Sequence, residues 1–228
     1  MTSVFRDLER YMETAPIVNA YEPDVHGGGG HPGKFSVVLS GGLTTLVKPS
    51  WTAPNAAVMV RNEVAAWQFV DLMSWQHLMG ATVLRTVTHP TTGASGEASL
   101  QVLWPANDYC VDVGKFDEGD RWKAALVDTV LQNSDRGGGN WLGVPKGGEK
   151  PNLVLIDHGY TLLASTATTS AFVEMQKGQS VPLPLIDDLQ RFVSSDPLRS
   201  RLVETVGAEA VIGMIERSQA ILRNGHLA

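Results

Sequence analysis

The stretch NSDRGGGNWL, residues 133–142, separates an aspartate from an asparagine by a run of glycines. Asp135 and Asn140 stand five positions apart, and the residues before them, WKAALVDTVLQ, have the apolar periodicity of a helix. Glycine adopts backbone conformations that other residues reach only at a cost, so such a loop can hold two functional side chains close together. Because Asp and Asn next to glycine are also ordinary turn residues, the interpretation of the loop depends on what surrounds it.

Two short runs of strand-forming residues, WLGV and LVLID, follow the loop, and the second ends at Asp157 and is followed by His158 and Gly159. An Asp and an Asn five residues apart, followed by Asp-x-Gly after the next strand, are typical of the catalytic loop and metal-binding turn of kinases. A carboxylate such as Asp135 can accept or orient the proton of an acceptor hydroxyl group. Mg²⁺ prefers oxygen ligands, which the amide of Asn140 and the carboxylate of Asp157 supply. The sequence therefore predicts a catalytic Asp135 and a magnesium site at Asn140 and Asp157.

Two charged residues nearer the N-terminus fit the same arrangement. Lys48 ends the third predicted strand in LTTLVKP, and Glu63 lies in the first turn of the next predicted helix, in NEVAAW. In kinases a strand lysine contacts the nucleotide phosphates and is held by an acidic residue of the following helix. Considered alone, each of these residues is also explained as a solvated charge on the surface. Their order along the chain favours a kinase with Lys48 and Glu63 in its active site.

A glycine-rich run, HGGGGHPG, lies between the first two predicted strands. This is the place of a loop that covers nucleotide phosphates, so we predict that Gly28, Gly29 and Gly30 contact the nucleotide. Glycine-rich turns are common in proteins, and the run supports the interpretation only together with the residues described above.

The rest of the pattern predicts an α+β chain in which a mostly β half precedes a mostly α half. Helices are predicted for the first dozen residues and from Arg61 to Leu78. The region from Leu185 to Asn224 is predicted to be helical, with breaks near Pro197 and Gly207. Five strands are predicted around the second helix, three before it as a meander and two after it, in IVNAYEPDV, FSVVL, LTTLVK, ATVLRTV and SLQVLW.

Composition narrows the classes of function. With 228 residues, of which 43% are hydrophobic, the chain can bury a sizeable core. The formal net charge of -6 argues against binding to nucleic acid or to an anionic membrane surface. No run of 18 apolar residues occurs, so no membrane-spanning helix is predicted. The one cysteine, Cys110, cannot form an internal disulfide and favours the reducing cytoplasm.

These segments resemble a bacterial phosphatidylinositol 3- and 4-kinase-related family, close to the HipA-like kinases of the protein-kinase-like superfamily. The resemblance runs from about residue 36 to the C-terminus and is weakest over the first 35 residues. It implies a two-lobed protein-kinase-like fold, with residues 1–104 as the N-lobe and 105–228 as the C-lobe. The segments that carry it are, in order, GLTTLVKP, NEVAAW, ATVLRT, SLQVLW, ALVDTVLQNSDRGGGNWL and LVLIDHGYTL.

The resemblance also implies ATP and Mg²⁺ as cofactors. It implies that Lys48 contacts the phosphates and that adenine lies against the backbone that follows SLQVL, with Leu103 and Trp104 as hinge residues. The sequence departs from the kinase pattern at His158, which stands where Asp-Phe-Gly has its phenylalanine, and at Gly137, which stands where the lipid-kinase group has a histidine. These departures affect the expected acceptor site more than the metal site.

The predicted function is transfer of the ATP γ-phosphate to Ser or Thr of a protein. Fold analogy does not establish the acceptor, so a lipid or small-molecule kinase, an AMP transferase and a pseudokinase that acts by occupying a partner are the alternatives. The hydroxyl residues of ASTATTSA, residues 164–171, are candidates for autophosphorylation, with an unregulated polar loop as the alternative.

Overall fold

The computed structural model describes residues 4–21, 33–104, 108–109, 111–145, 150–163 and 167–227. The predicted phosphate contacts Gly28, Gly29 and Gly30 lie outside the described residues, and so does Cys110. The same is true of residues 164–166 in the hydroxyl-rich segment.

Five antiparallel strands form the N-terminal sheet, in the order β1-β2-β3-β5-β4. The first three follow one another as the predicted meander. Because side chains alternate along a strand, Lys48 lies on the face opposite Val47. The buried apolar face is formed by Phe35, Val37, Leu39, Val47, Val83 and Leu100. The strands are β1 Ile17–Tyr21, β2 Phe35–Leu39, β3 Thr44–Pro49, β4 Thr82–Thr88 and β5 Ser95–Val102.

Two helices pack on this sheet. The first, α1, spans Val4–Thr14, two residues further than the helix predicted for the first dozen residues, and contacts β4. The second, α2, spans Ala56–Leu72 and contacts β4 and β5. Side chains from Asn62 to Val70 of α2 are all buried. A helix that is buried on all sides is expected where it lies between other elements, and α2 also packs against a helix of the C-terminal half.

The bounds of α2 differ at both ends from the predicted helix, Arg61–Leu78. Ser74 adopts a left-handed conformation with φ of 62° and ends the helical path, and Gln76–Leu78 form a separate 3-10 turn. Glycine or asparagine is the usual residue at a left-handed helix end, so the periodicity around Ser74 gives no sign of the stop. The predicted helix was therefore too long at its C-terminal end and began five residues too late.

The C-terminal half is mostly helical. The predicted breaks are confirmed, because α5 ends at Ser194, Pro197 lies in the first turn of α6, and Gly207, with φ of 86°, separates α6 from α7. The short strand β6 and the helix α4 were not predicted. The elements are β6 Asp108–Tyr109, the 3-10 turn Val113–Lys115, α3 Glu118–Val130, β7 Trp141–Val144, β8 Asn152–Leu155, α4 Ala171–Gln176, α5 Leu183–Ser194, α6 Asp196–Val206 and α7 Ala208–Asn224.

The two halves meet where α2 packs against α6. Thr205 of α6 donates a hydrogen bond to Oε1 of Gln68 in α2 at 3.0 Å, and Arg61 of α2 donates to the Thr205 carbonyl at 3.4 Å. The predicted α+β class, with a small mostly β part followed by a mostly α part, is confirmed. The exact division into residues 1–104 and 105–228 stays a prediction. Within the described residues, every helix is too short or too polar to cross a membrane.

Candidate active site

Lys48 contacts two carboxylates where β3, α2 and the turn after β8 meet. Its Nζ donates to Oε1 of Glu63 and, at 3.0 Å, to Oδ1 of Asp157. Lys48 is 5% exposed and Glu63 is 2% exposed, whereas the Asp157 side chain is 25% exposed. The structure therefore brings together Lys48, Glu63 and Asp157, three of the residues that the sequence predicted for the active site. We call them the lysine cluster.

The charges of the lysine cluster support one another. Burial by itself disfavours the ionised forms of both Lys48 and Glu63. The carboxylates of Glu63 and Asp157 nevertheless raise the pKa of Lys48, and the Lys48 ammonium group holds the pKa of Glu63 well below its usual range. Lys48 is therefore a cation and Glu63 an anion at neutral pH. A fixed cation beside Asp157 is suited to contact a phosphate group.

Helix α2 also holds the turn that carries Asp157. Asn62 donates through Nδ2 to the carbonyl oxygen of Gly159 at 3.1 Å and to that of Thr161. Asp157 has φ of 58°, a left-handed conformation that Asp adopts more readily than most residues. A Cβ atom on Gly159 would lie 3.1 Å from Cε and 3.2 Å from Cβ of Met59, so glycine allows the turn to lie directly against α2. The contribution of Asn62 was not predicted from the sequence.

The loop from Asp135 to Asn140 is more exposed than the lysine cluster. Asn140 donates through Nδ2 to the Asp135 carbonyl and, at 3.4 Å, to Oδ2 of Asp135. These contacts use the amide nitrogen of Asn140 and not its amide oxygen. The Asn140 carbonyl accepts the N–H of Ile156 at 3.1 Å, and Ile156 directly precedes Asp157. The structure thus brings Asp135 and Asn140 together and joins their loop to the turn with Asp157.

Beneath the loop lies Asp128 of α3, a fully buried carboxylate that the sequence analysis missed. It accepts hydrogen bonds from Asn133 Nδ2 at 3.0 Å, from Ser170 Oγ at 2.7 Å, and from Arg136 Nε at 3.1 and 3.2 Å. Burial of a carboxylate is costly unless it is paired, and these three donors satisfy it. A charged residue inside the apolar pattern ALVDTVLQ is the sequence signal that could have indicated this site.

Arg136 links Asp128 to both loops. It is 1% exposed, and its Nη1 donates to the carbonyl oxygens of Asn140 at 2.5 Å and Ile156 at 2.6 Å. Its Nη2 lies 3.0 Å from Oδ1 of Asp128. One buried guanidinium group therefore bridges α3, the loop with Asn140 and the end of β8. In the sequence, Arg136 contributed only to the family resemblance.

His158, the middle residue of the Asp-x-Gly turn, is fully buried. Its Nδ1 lies 3.8 Å from Oε2 of Glu63, which is a close polar contact but too long for a hydrogen bond. Burial and the nearby Arg136 guanidinium group lower the pKa of His158, so the imidazole is neutral at neutral pH.

The predicted hinge residues directly follow β5. The N–H of Leu103 donates to the Thr44 carbonyl at 3.3 Å, and Leu103 is 46% exposed. The Trp104 side chain is half-buried. Contact of Leu103 and Trp104 with a nucleotide stays a prediction.

The predicted metal ligands have suitable chemistry for Mg²⁺. Asn140 offers its amide oxygen, and Asp157, which binds Lys48 through Oδ1, offers Oδ2. No group of three or more His, Cys, Asp or Glu side chains in the described part of the chain is arranged to hold a metal ion. Two protein ligands completed by phosphate oxygens are the usual arrangement for Mg²⁺ in nucleotide sites, so the residues present fit this ion.

Comparison with known proteins supports the fold. The chain is similar to the solved structure of the Golgi casein kinase with Mn/ADP bound, with a TM-score of 0.69 and 14% sequence identity over 96% of this chain and 74% of that chain. A second structure of the Golgi casein kinase matches with a TM-score of 0.63 and 16% identity, over the same shares of the two chains.

Sequence comparison gives a shorter match. The chain is 36% identical over 83 residues to phosphatidylinositol 4-kinase gamma 4 of Oryza sativa subsp. japonica, and the match covers 36% of this chain but only 15% of that relative. No protein-family model matches the chain. The structural matches, over nearly the whole chain, show that it has a two-lobed protein-kinase-like fold with a mostly β N-lobe and a mostly α C-lobe.

Proposed function

We propose that the protein is an ATP- and Mg²⁺-dependent kinase that transfers the γ-phosphate to Ser or Thr of a protein. The observation that carries the proposal is the contact of one buried lysine, Lys48, with both Glu63 and Asp157. In kinases the pairing of the strand lysine with the helix glutamate and the placement of the Asp of the metal-binding turn are both required for activity.

Each predicted residue has a definite task in this proposal. Lys48, held by Glu63, binds phosphate oxygens, and Asn140 and Asp157 hold the metal ion. Asp135 orients the acceptor hydroxyl group and takes up its proton. When bound, Mg²⁺ neutralises charge on the phosphate oxygens. The backbone of Leu103 and Trp104 and the glycines at 28–30 are proposed to contact the nucleotide.

A protein acceptor is proposed because the net charge of -6 disfavours an anionic membrane surface, and the same charge leads us to propose that nucleic acid is not a partner. A lipid kinase is the second candidate, since the 83-residue match is to a phosphatidylinositol 4-kinase. Membership of the bacterial phosphatidylinositol 3-/4-kinase-related, HipA-like family is part of the proposal and rests on the motifs of the sequence. A cytoplasmic location is proposed from the single cysteine.

The proposal is tested by incubating the purified protein with Mg²⁺ and γ-labelled ATP, with and without a cell lysate. We expect label on the protein itself or on a lysate protein, and Asp135→Asn should reduce transfer about 10²–10⁴-fold while ATP binding is kept. Unchanged transfer by Asp135→Asn would contradict the assignment of the catalytic residue.

Parallel reactions separate the alternatives. Protein labelled from α-labelled but not from γ-labelled ATP would indicate AMP transfer. Label in phosphatidylinositol vesicles and not in protein would indicate the lipid kinase. Nucleotide binding without transfer to any of these acceptors would favour the pseudokinase.

A further inference from the structure

We propose that Arg136 is a positioning residue for the metal site and that Asp128 and Ser170 hold it in place. The proposal rests on the proposed function, because it concerns the geometry of the predicted magnesium ligands. It is carried by one buried guanidinium group that is hydrogen-bonded to the backbone of both loops that bear those ligands.

The contacts of Nη1 determine the relation between the two loops. One of its hydrogen bonds goes to the backbone carbonyl of Asn140, whose side chain is a predicted metal ligand. The other goes to the backbone carbonyl of Ile156, the residue before Asp157. Because both bonds start from the same nitrogen atom, they fix the distance between the two carbonyl groups. The Ile156 N–H also donates to the Asn140 carbonyl, which adds a direct link between the loops.

Asp128 keeps the guanidinium group in this orientation. Both of its carboxylate oxygens accept from Nε of Arg136, and Oδ1 also lies 3.0 Å from Nη2. A planar guanidinium group can bind a carboxylate along one edge and donate to two carbonyls from another nitrogen, whereas a lysine ammonium group lacks this fixed fork. The position therefore requires arginine rather than positive charge alone.

Residues 169–170, which follow the turn with Asp157, are hydrogen-bonded to Asp128 and Arg136. Ser170 donates to Oδ2 of Asp128 at 2.7 Å, and the N–H of Arg136 donates to the carbonyl of Thr169 at 3.0 Å. The N–H of Thr169 in turn donates to the carbonyl of Asn133 at 2.9 Å. The position of residues 169–170 is thereby linked to that of the predicted metal ligands.

The chain contains a matched arginine for comparison. Arg199 is 8% exposed, and its Nη1 donates to two backbone carbonyls, of Phe192 at 2.5 Å and Val193 at 2.7 Å. It also pairs with an aspartate, Asp196. These contacts lie at the junction of α5 and α6 and involve none of the predicted site residues, so Arg199→Lys measures the cost of the same chemical change without an effect on the metal ligands.

The test compares Arg136→Lys with Arg199→Lys by the affinity for a fluorescent ADP analogue, measured in Mg²⁺ and in EDTA. Loss of a residue that orients metal ligands typically lowers metal affinity 10–100-fold. We expect Arg136→Lys to weaken binding in Mg²⁺ by about tenfold and to leave binding in EDTA unchanged, whereas Arg199→Lys leaves both unchanged. The proposal is overturned if Mg²⁺ strengthens binding of the ADP analogue to Arg136→Lys as much as it does for the wild type. It is also overturned if Arg199→Lys loses as much affinity in Mg²⁺ as Arg136→Lys does.

A second measurement needs no nucleotide. In hydrogen–deuterium exchange, the amide of Ile156 should exchange faster in Arg136→Lys than in Arg199→Lys, and equal exchange overturns the positioning role. If Arg136→Lys does not fold, Asp128→Asn replaces it and should give the same pattern with a smaller effect in both measurements. Absence of Mg²⁺-dependent nucleotide binding in the wild type would overturn the proposed function instead, while the exchange comparison still decides whether Arg136 holds the two loops together.

Discussion

The lysine cluster and the loop from Asp135 to Asn140 hold their polar groups in different ways. In the lysine cluster, Lys48 and Glu63 are buried and compensate each other's charge. In the loop, Asp135 is exposed, and the hydrogen bonds that fix the backbone come from beneath, chiefly from Arg136. We therefore expect changes in the lysine cluster to affect both stability and the proposed activity, whereas Asp135 can change with little effect on the fold.

The largest loss of stability is expected for Lys48→Met. The change leaves Glu63 buried without its cation, and removal of one partner of a buried ion pair typically costs about 3–5 kcal/mol. The free energy of unfolding is measured in urea by circular dichroism. Lys123→Met is the control, because its pair with Asp120 is more exposed and should cost about 1 kcal/mol or less. Equal losses in the two variants would contradict the role given to burial.

A pH-dependent loss is expected for Glu63→Gln. The pKa of Glu63 in the folded state lies below its usual value of 4.5, so its stabilising contribution is complete above that pH and is lost as the pH falls towards the folded-state pKa. Glu63→Gln should cost about 1.5–3 kcal/mol at pH 7, since a charged hydrogen bond is weakened. The difference from the wild type should shrink as the pH falls below 4.5. If the two free energies of unfolding differ by the same amount from pH 7 down to about pH 3, the predicted direction of the pH dependence is wrong.

A smaller loss, of about 1 kcal/mol, is expected for Asp157→Asn, because Lys48 keeps Glu63 as a partner. Asparagine also tolerates the left-handed backbone at φ of 58°. Asp157→Ala should cost about 1 kcal/mol more, because alanine does not. Both variants should weaken Mg²⁺-dependent nucleotide binding, as measured by titration calorimetry. Unchanged binding in both would remove Asp157 from the metal site.

The smallest effect on stability is expected for Asp135→Asn. Its carboxylate is exposed, and substitutions at such positions usually change the free energy of unfolding by about 0.5 kcal/mol or less. Urea unfolding should therefore be indistinguishable from that of the wild type, although the proposed phosphate transfer should be strongly reduced. A loss of stability as large as that of Lys48→Met would show that the Asp135 side chain is as important for the fold as the lysine cluster.

Much of the fold was predictable because local patterns determine it. Periodicity and residue type predict the meander and the helix breaks at Pro197 and Gly207. They also predict Lys48 on a strand and Glu63 on the helix that follows it. The end of α2 was not predictable, because Ser74 adopts a left-handed conformation that is more usual for glycine or asparagine at a helix end.

The groups beneath the site were harder to predict than those in it. Asp128 lies in an apolar helix and meets Ser170, which is 42 positions away in sequence, only after folding. Arg136 stands next to Asp135, but its partners in the two loops are backbone carbonyls, which any residue type supplies and which therefore leave no sequence pattern. Asn62 acts on carbonyl groups in the same way.

The burial of residues 62–70 of α2 on all sides limits how far the helix can move. In protein kinases, movement of the corresponding helix is one means of controlling the lysine–glutamate pair. Here an outward swing would expose Trp67 and Phe69, which are fully buried, at a cost of about 1.5–3 kcal/mol for each side chain. The helix would also have to separate from α6. The helix is therefore held in the position that pairs Lys48 with Glu63. We expect any control of the proposed activity to act on access of the nucleotide or the acceptor rather than on the helix.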